Sequence, residues 1–300
     1  MTSNAIRTDA PTGSFDYGAI LNHFRATHRP KFIRVAGQEW SYLSGGTGEQ
    51  TVVLLPGGLG GGEAWFRIML ALEPCAQILT PSYPSVTNMA ALVNGLAHIL
   101  ATEGCAQVVL VGTSMGGFVA QCFVRAFPER VQQLILSNTT APNPTYAAKM
   151  ARRQPKGLAW MPTWLIVQLM LPGLMRFLRV LPRSERAFWR DYLRQKLALE
   201  ARDRLGALHA CCADFAQQSF SPADLQNWPG QIHLLAVEDD QAFDENQRQI
   251  LQAAYPQAKV TSMQHGGHMA AITQPEAYVA HIQEALQTRQ GIRETSLALA

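Results

Sequence analysis

The sequence lacks the apolar segments that membrane insertion or secretion requires. No uninterrupted apolar run in its 300 residues reaches the roughly 18 that a bilayer-spanning helix needs. Residues 1–13 are polar and lack the apolar centre of a secretory signal. These absences predict a soluble, cytoplasmic protein without a transmembrane segment.

Patterns typical of disulfide, metal and nucleic-acid binding are also missing. The five cysteines are an odd number and include no C-x-x-C pair, which excludes a small disulfide scaffold and favours reduced thiols. A net charge of +3 is too small to indicate a nucleic-acid partner. No metal or cofactor is expected, because six of the eight histidines are scattered without the spacing of metal ligands: His23, His28, His98, His209, His233 and His281.

What the sequence does contain is a strand-turn-helix pattern around a serine. The buried-strand run Val108-Val109-Leu110-Val111 breaks at Gly112, and helical spacing begins at Phe118. Gly112-x-Ser114-x-Gly116 therefore has the context of a nucleophile elbow, which strains the backbone at the serine and exposes its hydroxyl at the carboxyl edge of a sheet. The following helix would direct its N–H groups at a developing oxyanion. The alternative is a glycine-rich turn with an incidental serine.

Apolar residues make up 47% of the chain, enough for one large core with an insertion. Strands and helices alternate up to residue 140 and again near the carboxyl end, which predicts a mostly parallel, doubly wound α/β sheet. We expect a core of residues 15–140 and 229–288, with an inserted helical cap at 141–228 and flexible tails at 1–14 and 289–300. Within the cap, prolines that include Pro172 are expected to break the helices.

A glycine-rich segment, Pro56-Gly57-Gly58-Leu59-Gly60-Gly61-Gly62, follows the predicted strand 51–55. Such a loop cradles a phosphate or supplies half of an oxyanion hole. A phosphate-binding loop would need a lysine where Glu63 stands, and a dinucleotide fingerprint does not fit the spacing. The oxyanion interpretation is therefore preferred.

A serine nucleophile needs a base and an orienting carboxylate, which in this topology follow it in the order acid, then histidine. The strand 231–237 is followed by three carboxylates, and the strand 258–263 by two histidines. Both loops are expected at the sheet edge that carries Ser114. Gly266-Gly267 favours His268 over His265, and the choice among the carboxylates stays open because one register slip exchanges them: Glu238, Asp239 and Asp240.

Across essentially its whole length the chain resembles the α/β-hydrolase superfamily. The matching segments are Pro56-Gly57-Gly58, Gly112–Gly116, the Asp240 loop, and Gly267-His268 followed by Gln274-Pro275-Glu276. A resemblance to the maspardin-type subgroup rests on Trp40-Ser41, Trp65-Phe66-Arg67-x-x-Leu70-Ala71-Leu72, Tyr83-Pro84 and Gly116-Gly117-Phe118. Two departures are Pro56, where the family usually has histidine, and Ser82-Tyr83-Pro84, which replaces a frequent Asp-x-x-Gly turn.

The resemblance implies that Ser114 attacks, that His268 acts as base and then acid, and that Asp240 orients the imidazole. The backbone N–H groups implied for the oxyanion hole are those of Met115 and Gly58, with Leu59 as the alternative to Gly58. The implied function is a cofactor-independent serine carboxylesterase that takes a small-molecule ester with an apolar part. The alternatives are a silent maspardin-like binding or scaffold protein, and a C–C or lactone hydrolase or perhydrolase using the same residues.

The predicted cap is strongly basic. Its 13 lysines and arginines exceed its 6 acids by seven, so the rest of the chain carries a net charge of −4. This cap could steer anionic or amphiphilic substrates, or make a peripheral contact with an anionic membrane. The alternative is a solvated helix face whose aromatic and methionine residues form the cap core.

Overall fold

The protein is described by a computed structural model that covers residues 16–58, 61–153, 157 and 160–298, with the backbone alone for 200–203 and 288–298. The predicted tail 1–14 and the candidate Leu59 lie outside the described residues. Within the described part no helix is long and apolar enough to cross a membrane.

Eight strands in the described residues form one sheet, in the order β1-β2-β4-β3-β5-β6-β7-β8. The strands are β1 (Lys31–Val35), β2 (Gln38–Gly45), β3 (Thr51–Leu55), β4 (Gln77–Ser82), β5 (Val108–Thr113), β6 (Val131–Ser137), β7 (Gln231–Val237) and β8 (Lys259–Met263). β2 pairs antiparallel with β1 and with β4, and every other pairing is parallel. The predicted mostly parallel sheet is confirmed.

Helices cover both faces of the sheet. They are α1 (Tyr17–Thr27), α2 (Phe66–Leu72), α3 (Met89–Thr102), α4 (Met115–Ala126), α5 (Pro144–Arg152), α6 (Thr163–Phe177), α7 (Arg183–Ala216), α8 (Glu245–Ala254), α9 (Ala270–Thr273) and α10 (Pro275–Ala298). Side chains of β3 alternate between two apolar clusters, with Val53 and Leu55 packed on the α3, α4 and α8 side and Val52 and Leu54 on the α1, α2 and α10 side. This alternation buries the whole strand, which explains its unbroken apolar sequence.

The register of the parallel strands brings five loops together at one edge. Leu55 pairs with Gly112, and Thr113 pairs with Ser137, so the loops after β3, β5 and β6 are neighbours. Val237 pairs with Met263, which places the loops after β7 and β8 side by side. Parallel strands end at the same edge, so the fold gathers the segments that carry the candidate residues.

Residues between β6 and β7 form the predicted helical insertion, with α5 and α6 both packed on α7. The amino-terminal half of α7 buries Trp189 and Leu193 in the cluster that also contains α1 and α2. Near its other end, Asp214 Oδ2 accepts the N–H of Met89 at 2.8 Å and holds α7 against the start of α3.

Two helix boundaries differ from the prediction. α6 continues through Pro172, where a break was expected. Pro172 and Gln168, whose carbonyl loses its partner, both face solvent, while Ile166 and Leu171 anchor the other face in the core, so packing outweighs the missing hydrogen bond. The last helix continues to Ala298, into the segment 289–300 that the sequence analysis assigns to a tail, and this segment contains no proline.

Candidate active site

Ser114 lies on the tight turn between β5 and α4. Its backbone adopts φ 53° and ψ −122°, a strained conformation for a residue with a side chain. Its N–H donates to the carbonyl oxygen of Asn138 at 3.1 Å. A Cβ at Gly116 would lie 2.0 Å from the carbonyl oxygen of Leu55, so only glycine permits this close approach of α4 to β3. The G-x-S-x-G pattern is therefore explained by backbone crowding around an exposed serine turn.

His268 reaches Ser114 from a 3₁₀ helix, Gly267–Met269, that follows β8. Its Nε2 lies 3.2 Å from Ser114 Oγ. On the other side of the ring, Nδ1 lies 3.1 Å from Asp240 Oδ1 and 3.2 Å from Oδ2. The three residues named from the sequence thus form one continuous hydrogen-bonded chain.

Asp240 is buried in the loop after β7, and backbone N–H groups of the same loop hold its carboxylate. Oδ1 accepts the N–H groups of Ala242 at 2.7 Å and Phe243 at 3.1 Å. Burial alone raises the pKa of Asp240, but the hydrogen bond and charge of His268, together with the donors of Asn138 and Ala242, outweigh it and hold this pKa below its usual range. The carboxylate is therefore ionised at neutral pH and fixed in orientation.

The other candidates from the sequence occupy different places. Asp239 Oδ1 accepts the N–H of Gly267 at 2.7 Å and so supports the loop that carries His268. Glu238 accepts a hydrogen bond from Ser262, and His265 is exposed. Among the three carboxylates of this loop, Asp240 is the one hydrogen-bonded to His268.

Asn138 is a site residue that the sequence analysis missed. It follows β6 in the left-handed region, with φ 48°, and its Nδ2 donates to Asp240 Oδ2 at 2.8 Å and to the carbonyl oxygen of Gly267 at 2.9 Å. Asn138 thereby joins the acid loop to the histidine loop. The sole signal in the sequence is an asparagine, a residue that tolerates positive φ, directly after a buried strand.

We expect Asn138→Gly to lower kcat/KM about tenfold, because a buried hydrogen bond to a charged group is lost. Glycine keeps the positive φ, so the change removes the side chain without adding backbone strain. The Asp240 carboxylate then has one donor fewer, and the acid loop is no longer tied to the histidine loop, so we expect the loss in kcat with KM nearly unchanged. The measurement is steady-state kcat and KM of both proteins.

The control is Asn88→Gly, which removes an exposed helix cap at the start of α3, distant from Asp240 in the sequence. It is expected to reduce stability alone. An unchanged kcat for Asn138→Gly would contradict the positioning role of Asn138.

The glycine-rich loop after β3 passes beside the serine. A Cβ on Gly57 would lie 3.3 Å from Ser114 Cβ, whereas a Cβ on Gly58 would meet no atom within 4 Å. Met115, the other residue predicted for the oxyanion hole, is the first residue of α4. Further along, the N–H of Gly62 donates to Ser82 Oγ at 3.2 Å. Ser82, a departure from the family pattern, therefore anchors the end of this loop to β4.

The insertion borders the site through α6. The Phe177 ring lies 5.0 Å from the His268 ring, centroid to centroid, and Phe243 packs on the same imidazole at 5.6 Å. Gln241 Oε1 accepts the N–H of His268 at 3.3 Å. A groove of about 500 Å³ adjoins these residues and is lined by Leu169, Met170, Gly173, Leu174, Arg176, Phe177, Arg179 and Gln241.

Several known proteins resemble this chain in sequence or fold over most of its length. Maspardin from Danio rerio is 23% identical over a match 291 positions long, which covers 92% of this chain and 88% of that protein. A thermophilic esterase from Thermogutta terrifontis has the same fold, with a TM-score of 0.67, 22% identity, and coverage of 87% of this chain and 98% of the esterase. A membrane phospholipase A described as a bacterial virulence factor superposes with a TM-score of 0.67 at 19% identity, covering 90% of this chain and 91% of that one.

The sequence model of one family spans most of the sheet and every loop that contributes to the site. It matches residues 52–281, from β3 to the first turns of α10, and is described as the alpha/beta hydrolase family. The chain therefore belongs to the alpha/beta hydrolase family.

Proposed function

We propose that the protein is a serine hydrolase that cleaves carboxylic esters through an acyl-enzyme. The observation that carries this proposal is the chain of contacts from Ser114 Oγ through the His268 ring to Asp240, with 3.2 Å and 3.1 Å at its two junctions. Both distances lie within hydrogen-bond reach, so His268 can accept the proton of Ser114 while Asp240 orients the imidazole.

In the first half-reaction, His268 Nε2 takes the Ser114 proton as Oγ attacks the ester carbonyl. The ionised Asp240 stabilises the imidazolium and keeps the remaining N–H on Nδ1. The carbonyl oxygen becomes an oxyanion beside the amino end of α4, where the N–H of Met115 and a second N–H from Gly58 or Leu59 stabilise it. His268 then protonates the departing alcohol, which leaves an acyl group on Ser114.

The second half-reaction repeats these roles with water. His268 removes a proton from a water molecule that attacks the acyl carbonyl, and it then returns this proton to Ser114 Oγ as the bond between Oγ and the acyl carbon breaks and the carboxylic acid is released. Every proton that moves is held by a residue of this chain, so the reaction requires no cofactor.

We also propose that the insertion acts as a cap that selects esters with an apolar part. Leu169, Met170, Leu174 and Phe177 of α6 line the groove that adjoins His268. Apolar lining with few polar groups is typical of sites for apolar ligands. An esterase and a phospholipase A among the proteins of similar fold are consistent with this substrate class.

A fluorophosphonate probe tests the proposal directly, because it phosphonylates only an activated serine. We expect one label per chain, mapped by mass spectrometry to the peptide that contains Ser114, and no label after heat denaturation. With p-nitrophenyl esters from acetyl to palmitoyl, the best chain length is expected to exceed acetyl. A folded sample that neither labels nor hydrolyses any ester would contradict the hydrolase.

The similarity to maspardin keeps a second candidate, a binding protein that retains the fold without turnover. Pro56, buried where the family resemblance has histidine, is the feature of the site that favours it. The probe separates the two, since an inert binding protein leaves Ser114 unlabelled. Labelling without ester turnover would instead favour C–C or lactone hydrolysis, or perhydrolysis, by the same residues.

A further inference from the structure

Exposed apolar side chains concentrate on one segment of the insertion. Among the described residues seven large apolar side chains are exposed, and four of them lie between positions 160 and 180. Their exposed fractions are 92% for Trp160, 62% for Trp164, 62% for Leu169 and 57% for Val180. Isolated exposed apolar residues are ordinary, but a cluster of this kind marks an interaction surface.

Trp164 and Leu169 lie on the exposed face of α6, and Trp160 and Val180 flank the helix at its two ends. Residues that follow one another at three- to four-residue steps lie on the same side of a helix, and the exposed residues of α6 follow such steps. We define the docking face as the exposed residues of α6 together with those that flank it: Trp160, Trp164, Gln168, Leu169, Pro172, Gly173, Arg176, Arg179 and Val180. The opposite side of the helix buries Ile166 and Leu171, so the docking face is presented outward.

The surrounding sequence carries charge of one sign only. No aspartate or glutamate occurs from residue 130 to residue 184, a stretch that contains eight lysines and arginines: Arg130, Lys149, Arg152, Arg153, Lys156, Arg176, Arg179 and Arg183. The first acid that follows, Glu185, is hydrogen-bonded to Tyr17 of α1. The arginines of the docking face are therefore exposed next to apolar side chains, and their own segment contains no carboxylate that could neutralise them.

We propose that the docking face binds the surface of an anionic lipid bilayer. Tryptophan and leucine partition into the boundary between headgroups and acyl chains, and arginines pair with anionic headgroups. With 15 residues and no span-length apolar run, α6 would lie in the plane of the surface and not cross it.

This orientation has a consequence for the site. α6 carries the docking face on one side and Phe177, which contacts His268, near its end. The groove beside His268 includes Leu169, Arg176 and Arg179 of the docking face, so it opens toward the bound bilayer. An amphiphile leaving the bilayer would enter this groove without crossing bulk water. The docking proposal does not depend on hydrolysis, and Ser114→Ala is expected to bind vesicles as well as the native chain.

The test is co-flotation of the full-length protein with phosphatidylcholine vesicles, with and without phosphatidylserine. We expect binding only to the anionic vesicles, and weaker binding as salt increases. Arg176→Gln with Arg179→Gln should weaken this binding about 30-fold, since each arginine near an anionic surface contributes on the order of 1 kcal/mol. Trp164→Ser with Leu169→Ser should weaken it by at least as much.

Matched controls use exposed residues of the same kinds on the sheet side of the molecule. Phe32→Ser with Val260→Ser removes exposed apolar groups from the two edge strands, and Arg29→Gln with Arg34→Gln removes exposed cations near β1. Both controls should bind like the native chain. The proposal is overturned if native protein fails to float with anionic vesicles, or if the controls lose as much binding as the docking-face variants. It is also overturned if Trp164→Ser with Leu169→Ser converts a dimer to a monomer and leaves vesicle binding unchanged, since the face would then join two copies.

Discussion

Ser114→Ala is expected to lower kcat for p-nitrophenyl ester hydrolysis about 10⁴- to 10⁶-fold, because no hydroxyl remains for His268 to activate. The fold should persist, because alanine meets the same backbone strain at φ 53° as serine does. The substitution removes only the hydrogen bond between Ser114 Oγ and His268 Nε2. KM should change little, because the acyl and alcohol parts of the ester keep their contacts. The measurement is steady-state kinetics of purified variants, with thermal melting to show that both are folded.

Ser184→Ala provides the matched control, as Ser184 is an exposed serine in the first turn of α7. It should retain native kcat and native labelling by a fluorophosphonate. If Ser114→Ala kept more than a few percent of native turnover, a different nucleophile would have to act, and the hydrogen-bonded chain through His268 would not explain the activity.

Asp240→Asn is expected to lower kcat about 10⁴-fold. The N–H groups of Ala242 and Phe243 require an oxygen at the Oδ1 position, so the asparagine amide nitrogen would replace Oδ2. That nitrogen would face the Nδ2 of Asn138 and would offer a donor to His268 Nδ1. The imidazole would then carry its proton on Nε2 and could not accept the proton of Ser114.

Asp239→Asn is the matched control, one residue away and of identical chemistry. Its carbonyl oxygen can still accept the N–H of Gly267, so activity should fall no more than about tenfold. Measuring kcat across pH for both variants distinguishes the two roles. A larger loss of kcat in Asp239→Asn than in Asp240→Asn would mean that Asp239 is the catalytic acid and that the contacts of Asp240 only stabilise the loop.

The elbow was predictable because its signals are local. A continuous apolar run, then Gly112-x-Ser114-x-Gly116, then helical spacing specify strand, turn and helix without reference to the rest of the chain. The carboxyl-edge location of the acid and histidine loops was equally accessible, because parallel strands end at the same edge. The structure confirms the mostly parallel sheet and brings these loops together.

The sequence analysis was wrong or incomplete where contacts between distant residues decide the structure. Pro172 predicts a break, yet the buried Ile166 and Leu171 hold α6 together on the other face. Asn138 carries no motif, and its contacts with Asp240 and Gly267 join residues more than a hundred positions apart. Sequence periodicity does not report such pairings.

The sequence by itself determined the α/β fold class, the serine turn, and the order in which nucleophile, acid and histidine loops follow one another, because each depends on local patterning and on the geometry of parallel strands. Only the tertiary structure decided which of three adjacent carboxylates contacts His268. Backbone N–H groups of Ala242 and Phe243 and the side chain of Asn138 hold Asp240 there, while Gly267 engages Asp239. A shift of one residue exchanges these partners, and the free energy that selects the register comes from contacts that the linear order does not contain.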